Sequence, residues 1–104
     1  MPDSEFVRHY IDLIAVNIRR LRGAMSQEEF AKKVGVARTT VSRMEGRRNF
    51  EIRSLIKIAE AFGLYPFDLC MTEEERARVR ADVERKEKEI EERVTRNVLA
   101  KLQQ

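Results

Sequence analysis

Between two stretches that carry apolar residues at helical spacing lie only three residues, Gly35, Val36 and Ala37. Upstream, Phe30, Ala31 and Val34 fall on one face, with Glu28, Lys32 and Lys33 on the other. Downstream, Val41 and Met44 share a face, and at about 100° per residue Arg38, Thr39, Ser42 and Arg43 occupy the opposite one. Gly35 ends the upstream helix, because glycine takes positive φ without strain. So short a link makes the two helices meet at a sharp angle. Ala31 is small enough to let them touch, and Val41 packs back against it. Phe30, Val34, Val36 and Met44 fill the remaining inward positions of this unit, residues 27–46.

Only four Gly and two Pro interrupt the 104 residues, so the rest of the chain also reads as helix. Over residues 4–22, Phe6, Tyr10, Ile14, Ile18 and Leu21 form one stripe. Gly23-Ala24-Met25 is a short connection, and Ser26 with Glu29 makes a capping box for the next helix. The third helix runs about 37–45 and gives way to the basic loop Gly46-Arg47-Arg48-Asn49. Leu55, Ile56, Ile58, Ala59 and Phe62 mark a fourth helix closed by Gly63, and Pro66 opens a short fifth one over 66–71. Thr72 with Glu75 is a second capping box, and no Gly or Pro follows it. A helix of that extent spans about 45 Å. Along it, Glu74–Arg78, Glu84–Lys88, Glu89–Arg93 and Glu92–Arg96 stand at i,i+4 in the favourable orientation. The expected fold is all-α: a five-helix domain over residues 1–71 and a long charged helix over 72–104.

Composition narrows the function. No run approaches the roughly 18 apolar residues of a membrane span, and the N-terminus lacks the pattern of a signal peptide. A cytoplasmic location is expected. One cysteine, Cys70, and one histidine, His9, exclude an intramolecular disulfide and most His/Cys metal sites. No G-x-S-x-G, P-loop or paired-carboxylate pattern lies near either residue, so neither an enzyme nor a cofactor is expected. His9 reads as a surface residue and Cys70 as a space filler at the end of the fifth helix; Met25, Met44 and Met71 read as core. The net charge of +3 is unevenly spread. Residues 72–104 hold nine basic and nine acidic side chains, whereas residues 19–57 hold eleven Lys/Arg against Glu28, Glu29, Glu45 and Glu51. A compact basic region beside a neutral one is the footprint of a nucleic-acid surface, or else a solvated arginine-rich face.

The segment Ser26-Gln27-Glu28-Glu29-Phe30-Ala31, with Val34-Gly35-Val36 and Thr39-Thr40-Val41-Ser42-Arg43-Met44-Glu45, closely resembles the Cro/lambda-repressor-like (XRE) helix-turn-helix family. The likeness continues through Arg48-Asn49 and from Leu55 to Leu64. It implies a domain whose third helix enters the DNA major groove, with Arg38, Thr39 and Arg43 as the base contacts. Arginine reads guanine through two hydrogen bonds, and a threonine methyl packs on that of thymine. Ser26, Gln27, Thr40, Arg47, Arg48 and Asn49 then resemble phosphate contacts. Ala37 stands where Ser or Thr commonly caps the recognition helix, Phe50 where Pro is common, and the connection at Gly23-Ala24-Met25 is shorter than usual. Family members often pair an arginine of the first helix with the glutamate ending the third, here Glu45; Arg22 is the expected partner and Arg20 the alternative.

The terminal helix carries Val79, Val83, Ile90 and Val94 within about 60° of one another, with Val98 and Leu102 drifting off that line. A narrow apolar stripe suits a helix–helix seam, although Lys86 and Glu87 interrupt it. Homodimerisation, a solvated single helix and docking to a different protein all stand. Phe6 and Tyr10 extend the first helix, to cover the core or to meet another chain. The resulting expectation is a bacterial or phage repressor, nucleoid-associated, that binds a pseudo-palindromic operator as a homodimer. The alternative is an antitoxin or adaptor whose terminal helix holds another protein while the helix-turn-helix autoregulates its operon.

Overall fold

Ser4 starts the first helix, its Oγ accepting the Val7 N–H at 3.2 Å. The computed structural model describes residues 2–103. These form α1 (Glu5–Arg22), α2 (Gln27–Val34), α3 (Arg38–Glu45), α4 (Ile52–Ala61), a 3-10 helix (Pro66–Cys70) and α5 (Glu73–Leu102). The fold is all-α, as the periodicity predicts. Two compact units divide the chain, Met1–Thr72 and Glu73–Gln104. Among the described residues no helix is long and apolar enough to cross a membrane.

In the first unit α3 packs against α1 and α2, and the 3-10 helix against α1 and α4. Ile18, Phe30, Val41, Met44, Ile58 and Leu69 are fully buried at the centre. Burying each such side chain contributes about 1.5–3 kcal/mol. Phe30 stacks on Phe62 at 5.9 Å between ring centroids, and the Lys33 ammonium lies 5.1 Å from the same Phe62 ring. Cys70 packs at the core margin, as the space-filling reading expects.

A buried amide ties the ends of this unit together. Asn17, in the apolar stripe of α1, donates through Nδ2 to the carbonyls of Leu69 and Met71, both at 3.0 Å. Those carbonyls end the 3-10 helix, where no further helical turn supplies a donor. At its other end the Tyr65 N–H donates to Oδ2 of the buried Asp68 at 2.8 Å.

Several expectations are corrected. The short fifth helix expected over 66–71 is present as a 3-10 helix one residue shorter, Pro66–Cys70. Its Asp68 N–H bonds back three residues to the Tyr65 carbonyl at 2.9 Å, and five residues are too few to repay α-helix nucleation. Helix α3 begins at Arg38, with Ala37 as an N-cap that makes no side-chain bond. Phe6 is 72 % exposed, and Tyr10 and Ile56 are exposed as well. The α1 stripe is longer than the core it covers, so its first two turns overhang. There Phe6 meets Tyr10 edge to face at 5.0 Å, and His9 meets Tyr10 edge to face at 5.1 Å.

The second unit is α5 alone, 30 residues with none buried. Glu73, Glu74 and Glu75 fill its first turn and Lys101 lies in its last, both favourable to the helix dipole. Salt bridges at i,i+3 join Arg76 to Glu73 at 3.8 Å and Arg85 to Asp82 at 3.1 Å. Among the described residues the four expected i,i+4 pairs form no salt bridge, in keeping with the small return on fixing two long exposed side chains. Ile90, Val94, Val98 and Leu102 are exposed, as is Leu99, which lies off their line.

Candidate nucleic-acid interface

The α2–turn–α3 unit has the geometry its residues demand. Ser26 caps α2, its Oγ accepting the Glu29 N–H at 3.1 Å. Gly35 ends that helix in the left-handed conformation, φ 79°, and its N–H donates to the Ala31 carbonyl at 2.9 Å. The Val36 N–H shares the same carbonyl at 3.1 Å. Phe30, Ala31, Val34, Val41 and Met44 belong to one buried cluster, with Val36 packed at its edge. Every inward position read from the spacing therefore faces inward.

The opposite face of α3 is open. Arg38, Thr39, Ser42 and Arg43 are all exposed, and Thr40 is half-buried at the flank. Four side chains able to donate hydrogen bonds thus project from a helix whose back is fixed in the core. The orientation comes from buried Val41 and Met44, not from contacts among the polar residues themselves.

An ionic bridge fixes the far end of α3. Arg22 Nε donates to Glu45 Oε1 at 2.7 Å, with both side chains about 90 % buried. The same guanidinium donates through Nη1 to the Met25 carbonyl at 2.7 Å. Gln27 Nε2 donates to the other Glu45 oxygen at 2.5 Å. Helices α1, α2 and α3 therefore meet at one carboxylate, and Arg22, not Arg20, is its arginine partner. Sequence reading had not foreseen that the Gln27 amide is engaged there.

Beyond Glu45 the chain turns through a Schellman motif. The Arg48 N–H bonds the Arg43 carbonyl at 2.8 Å and the Arg47 N–H that of Met44 at 3.3 Å. The left-handed position of such a motif is normally glycine, yet here it is Arg47, φ 60°. A side chain there costs roughly 1–2 kcal/mol. Arg47 Nε reaches back to Asp12 Oδ1 on α1 at 2.6 Å. Arg48 and Asn49 are exposed, and Phe50 returns the loop to the core by packing against it. Phenylalanine thus anchors the loop at the position where the family commonly has proline.

Ser26, Gln27, Thr40, Arg47, Arg48 and Asn49 therefore lie at the start of α2, on the flank of α3 and in the loop that follows it. Arg38, Thr39 and Arg43 are brought together on one face of α3. Two residues that sequence reading missed shape this region. Asp12 is separated from Arg47 by 35 residues, with no pattern linking them. Asn17 did leave a signal, a polar residue between Ile14 and Ile18 in an apolar stripe.

The sequence profile of the helix-turn-helix family matches residues 17–69. A protein of Neisseria meningitidis serogroup B, described as a hypothetical transcription factor, is 33% identical over 82 residues, covering 76% of this chain and 74% of its own. The crystal structure of the hypothetical transcription factor NHTF from Neisseria superposes with a TM-score of 0.58 at 32% identity, over 76% of this chain and 91% of that one. The matched profile spans the bridge at Glu45, the exposed face of α3 and the basic loop. The chain belongs to the helix-turn-helix family, Cro/lambda-repressor-like (XRE) in type, whose members are DNA-binding transcriptional regulators.

Proposed function

We propose that the protein is a transcriptional repressor that binds a pseudo-palindromic operator as a homodimer, in the cytoplasm of a bacterium or of a phage-infected one. Helix α3 enters the major groove, where Arg38, Thr39 and Arg43 read base edges. Ser26, Gln27, Thr40, Arg47, Arg48 and Asn49 hold the backbone on either side. The observation that carries this reading is the exposed face Arg38, Thr39, Ser42 and Arg43 on a helix locked to α1 and α2 through Glu45. A rigid helix bearing two arginines can make the paired hydrogen bonds that distinguish guanine, each worth about 1–3 kcal/mol of discrimination.

The dimer is assigned to α5, through Val79, Val83, Ile90, Val94, Val98 and Leu102. Ile90, Val94 and Val98 are 51–55 % exposed and Leu102 is 76 % exposed, apolar surface that a second helix would cover. One small recognition module buries limited surface on DNA, and two are the usual route to specific binding at physiological salt. Two-fold symmetry then sets the recognition helices about 34 Å apart, one turn of DNA. The same uncovered face supports a second reading, an antitoxin or adaptor that holds a different protein there.

Sedimentation of the full chain, alone and with DNA selected from a random pool, tests the proposal. A dimer that selects an inverted repeat is the expected result. Truncation after Met71 should leave a monomer that binds a half-site weakly. A full chain that stays monomeric on DNA removes the homodimer and favours the adaptor. Absence of any selected sequence refutes base reading by α3.

A further inference from the structure

Arg47 combines three features that a simple phosphate contact does not need. Its backbone is in the left-handed conformation, φ 60°, at the stop of α3. Its Nε edge is taken by Asp12 Oδ1 at 2.6 Å. Its Nη1 lies 3.5 Å from the Glu45 carbonyl, while Nη2 makes no hydrogen bond among the described residues. The Arg47 and Asp12 side chains remain 52 % and 56 % exposed, so solvent and ligands reach both. Arg47 also forms one wall of an open crevice of about 300 Å³, whose other walls are Ala15, Val16, Arg19 and Glu45. Two arginines, Arg19 and Arg47, thus line the crevice together with one carboxylate, Glu45.

We infer that Asp12 is an internal counter-ion that competes with DNA phosphate for Arg47 and so weakens binding to arbitrary duplex. The inference rests on reading Arg47 as a phosphate contact. In the unbound protein the guanidinium and the carboxylate cancel, and a cancelled cation releases no counterion when DNA arrives. A phosphate approaching Nη2 also meets the carboxylate, a like charge, at close range. Exchanging carboxylate for phosphate conserves the number of charge-assisted bonds and gains little. Non-specific DNA, held almost wholly by phosphate contacts, loses most from this cancellation. Asp12 precedes Arg22 by ten residues on α1 and is not a partner in the Arg22–Glu45 side-chain bridge.

The test uses the full chain, a random-sequence duplex and fluorescence anisotropy across a salt series. Four proteins are compared: wild type, Asp12→Asn, Arg47→Gln and the double variant. Thermal unfolding first verifies that each is folded, which the exposure of both side chains favours. Asp12→Asn should bind roughly two- to fivefold tighter, the equivalent of one exposed ion pair. Its salt dependence should steepen by about 0.9 in log–log slope. In the Arg47→Gln background the same change should have no effect. If Arg47→Gln weakens binding but Asp12→Asn does not tighten it, the counter-ion role is wrong and the phosphate contact stands. If Asp12→Asn tightens binding equally with or without Arg47, the effect is general charge removal and the inference falls. Should Arg47→Gln leave affinity and slope unchanged, the phosphate contact itself is refuted, and the counter-ion role with it.

Discussion

Replacing Asn17 should unfold the recognition domain at markedly lower temperature, although Asn17 lies outside the exposed face of α3. Its Nδ2 serves two carbonyls, Leu69 and Met71, each at 3.0 Å, and its side chain is buried. Alanine removes two hydrogen bonds of about 1 kcal/mol each and leaves buried oxygen without a donor, for a total of about 2–4 kcal/mol. For a domain of this size the midpoint falls about 4–8 °C per kcal/mol, so a drop of roughly 10–25 °C is expected. Asn17→Asp sharpens the test. The introduced carboxyl faces two carbonyl oxygens and can bond them only when protonated. Its pKa is therefore raised in the folded state, and the variant's stability falls as pH rises through the range where the group ionises. Because α5 contributes its own helical signal, tyrosine fluorescence, which includes Tyr65 beside the 3-10 helix, should be followed together with circular dichroism. A midpoint within about 4 °C of wild type for Asn17→Ala, or an Asn17→Asp variant insensitive to pH, refutes the bonding described.

Three further outcomes follow from the site. Arg43→Ala should cost about 1–3 kcal/mol on the selected operator and leave random DNA nearly unaffected, measured by competition binding; equal losses on both would make Arg43 a phosphate contact. Arg48→Ala should weaken every duplex alike and reduce the salt slope by about one unit, and a changed base preference with unchanged slope would reverse its role. Burial raises the pKa of the Cys70 thiol by desolvating the thiolate. Alkylation near neutral pH should therefore be slower in the folded protein than in denaturant. The linked stability is present below the ordinary thiol range and declines as pH rises through the raised folded value. Cys70→Ser should flatten that decline, as urea titrations across alkaline pH would register.

The helix-turn-helix was legible because its constraints are local. Ala31, Gly35 and Val41 stand within ten residues of one another, and each slot admits few residue types. The Arg22–Glu45 pair was legible only through the family resemblance, since the two are 23 positions apart. What sequence reading missed is long-range or depends on the extent of the core. Periodicity identifies the stripe of α1 but not where the core beneath it ends, so Phe6 and Tyr10 were expected either to cover the core or to meet another chain. Ile56 matches the apolar pattern of α4, yet its side chain is exposed. Gln27 and Arg47 were read as phosphate contacts from their positions alone. Their carboxylate partners, 18 and 35 residues away, became visible only in three dimensions.

Helix α3 breaks nearly every rule by which a short helix sustains itself. It has eight residues, begins at Arg38 behind an N-cap, Ala37, that makes no side-chain bond, and has no acidic residue in its first turn. Thr39, Thr40, Val41 and Ser42 are indifferent helix formers, and Glu45 places negative charge at the negative end of the dipole. Isolated helices shorter than about 12–15 residues are marginal even with favourable sequences. The conformation of α3 is therefore imposed from outside, by burial of Val41 and Met44 and by the clasp on Glu45. A peptide spanning these residues would be coil, and a chain caught before its core closes would carry the recognition residues without their arrangement. Reading DNA is in this protein a property of the finished domain, so a newly made or damaged copy has charge to offer the duplex but no sequence preference.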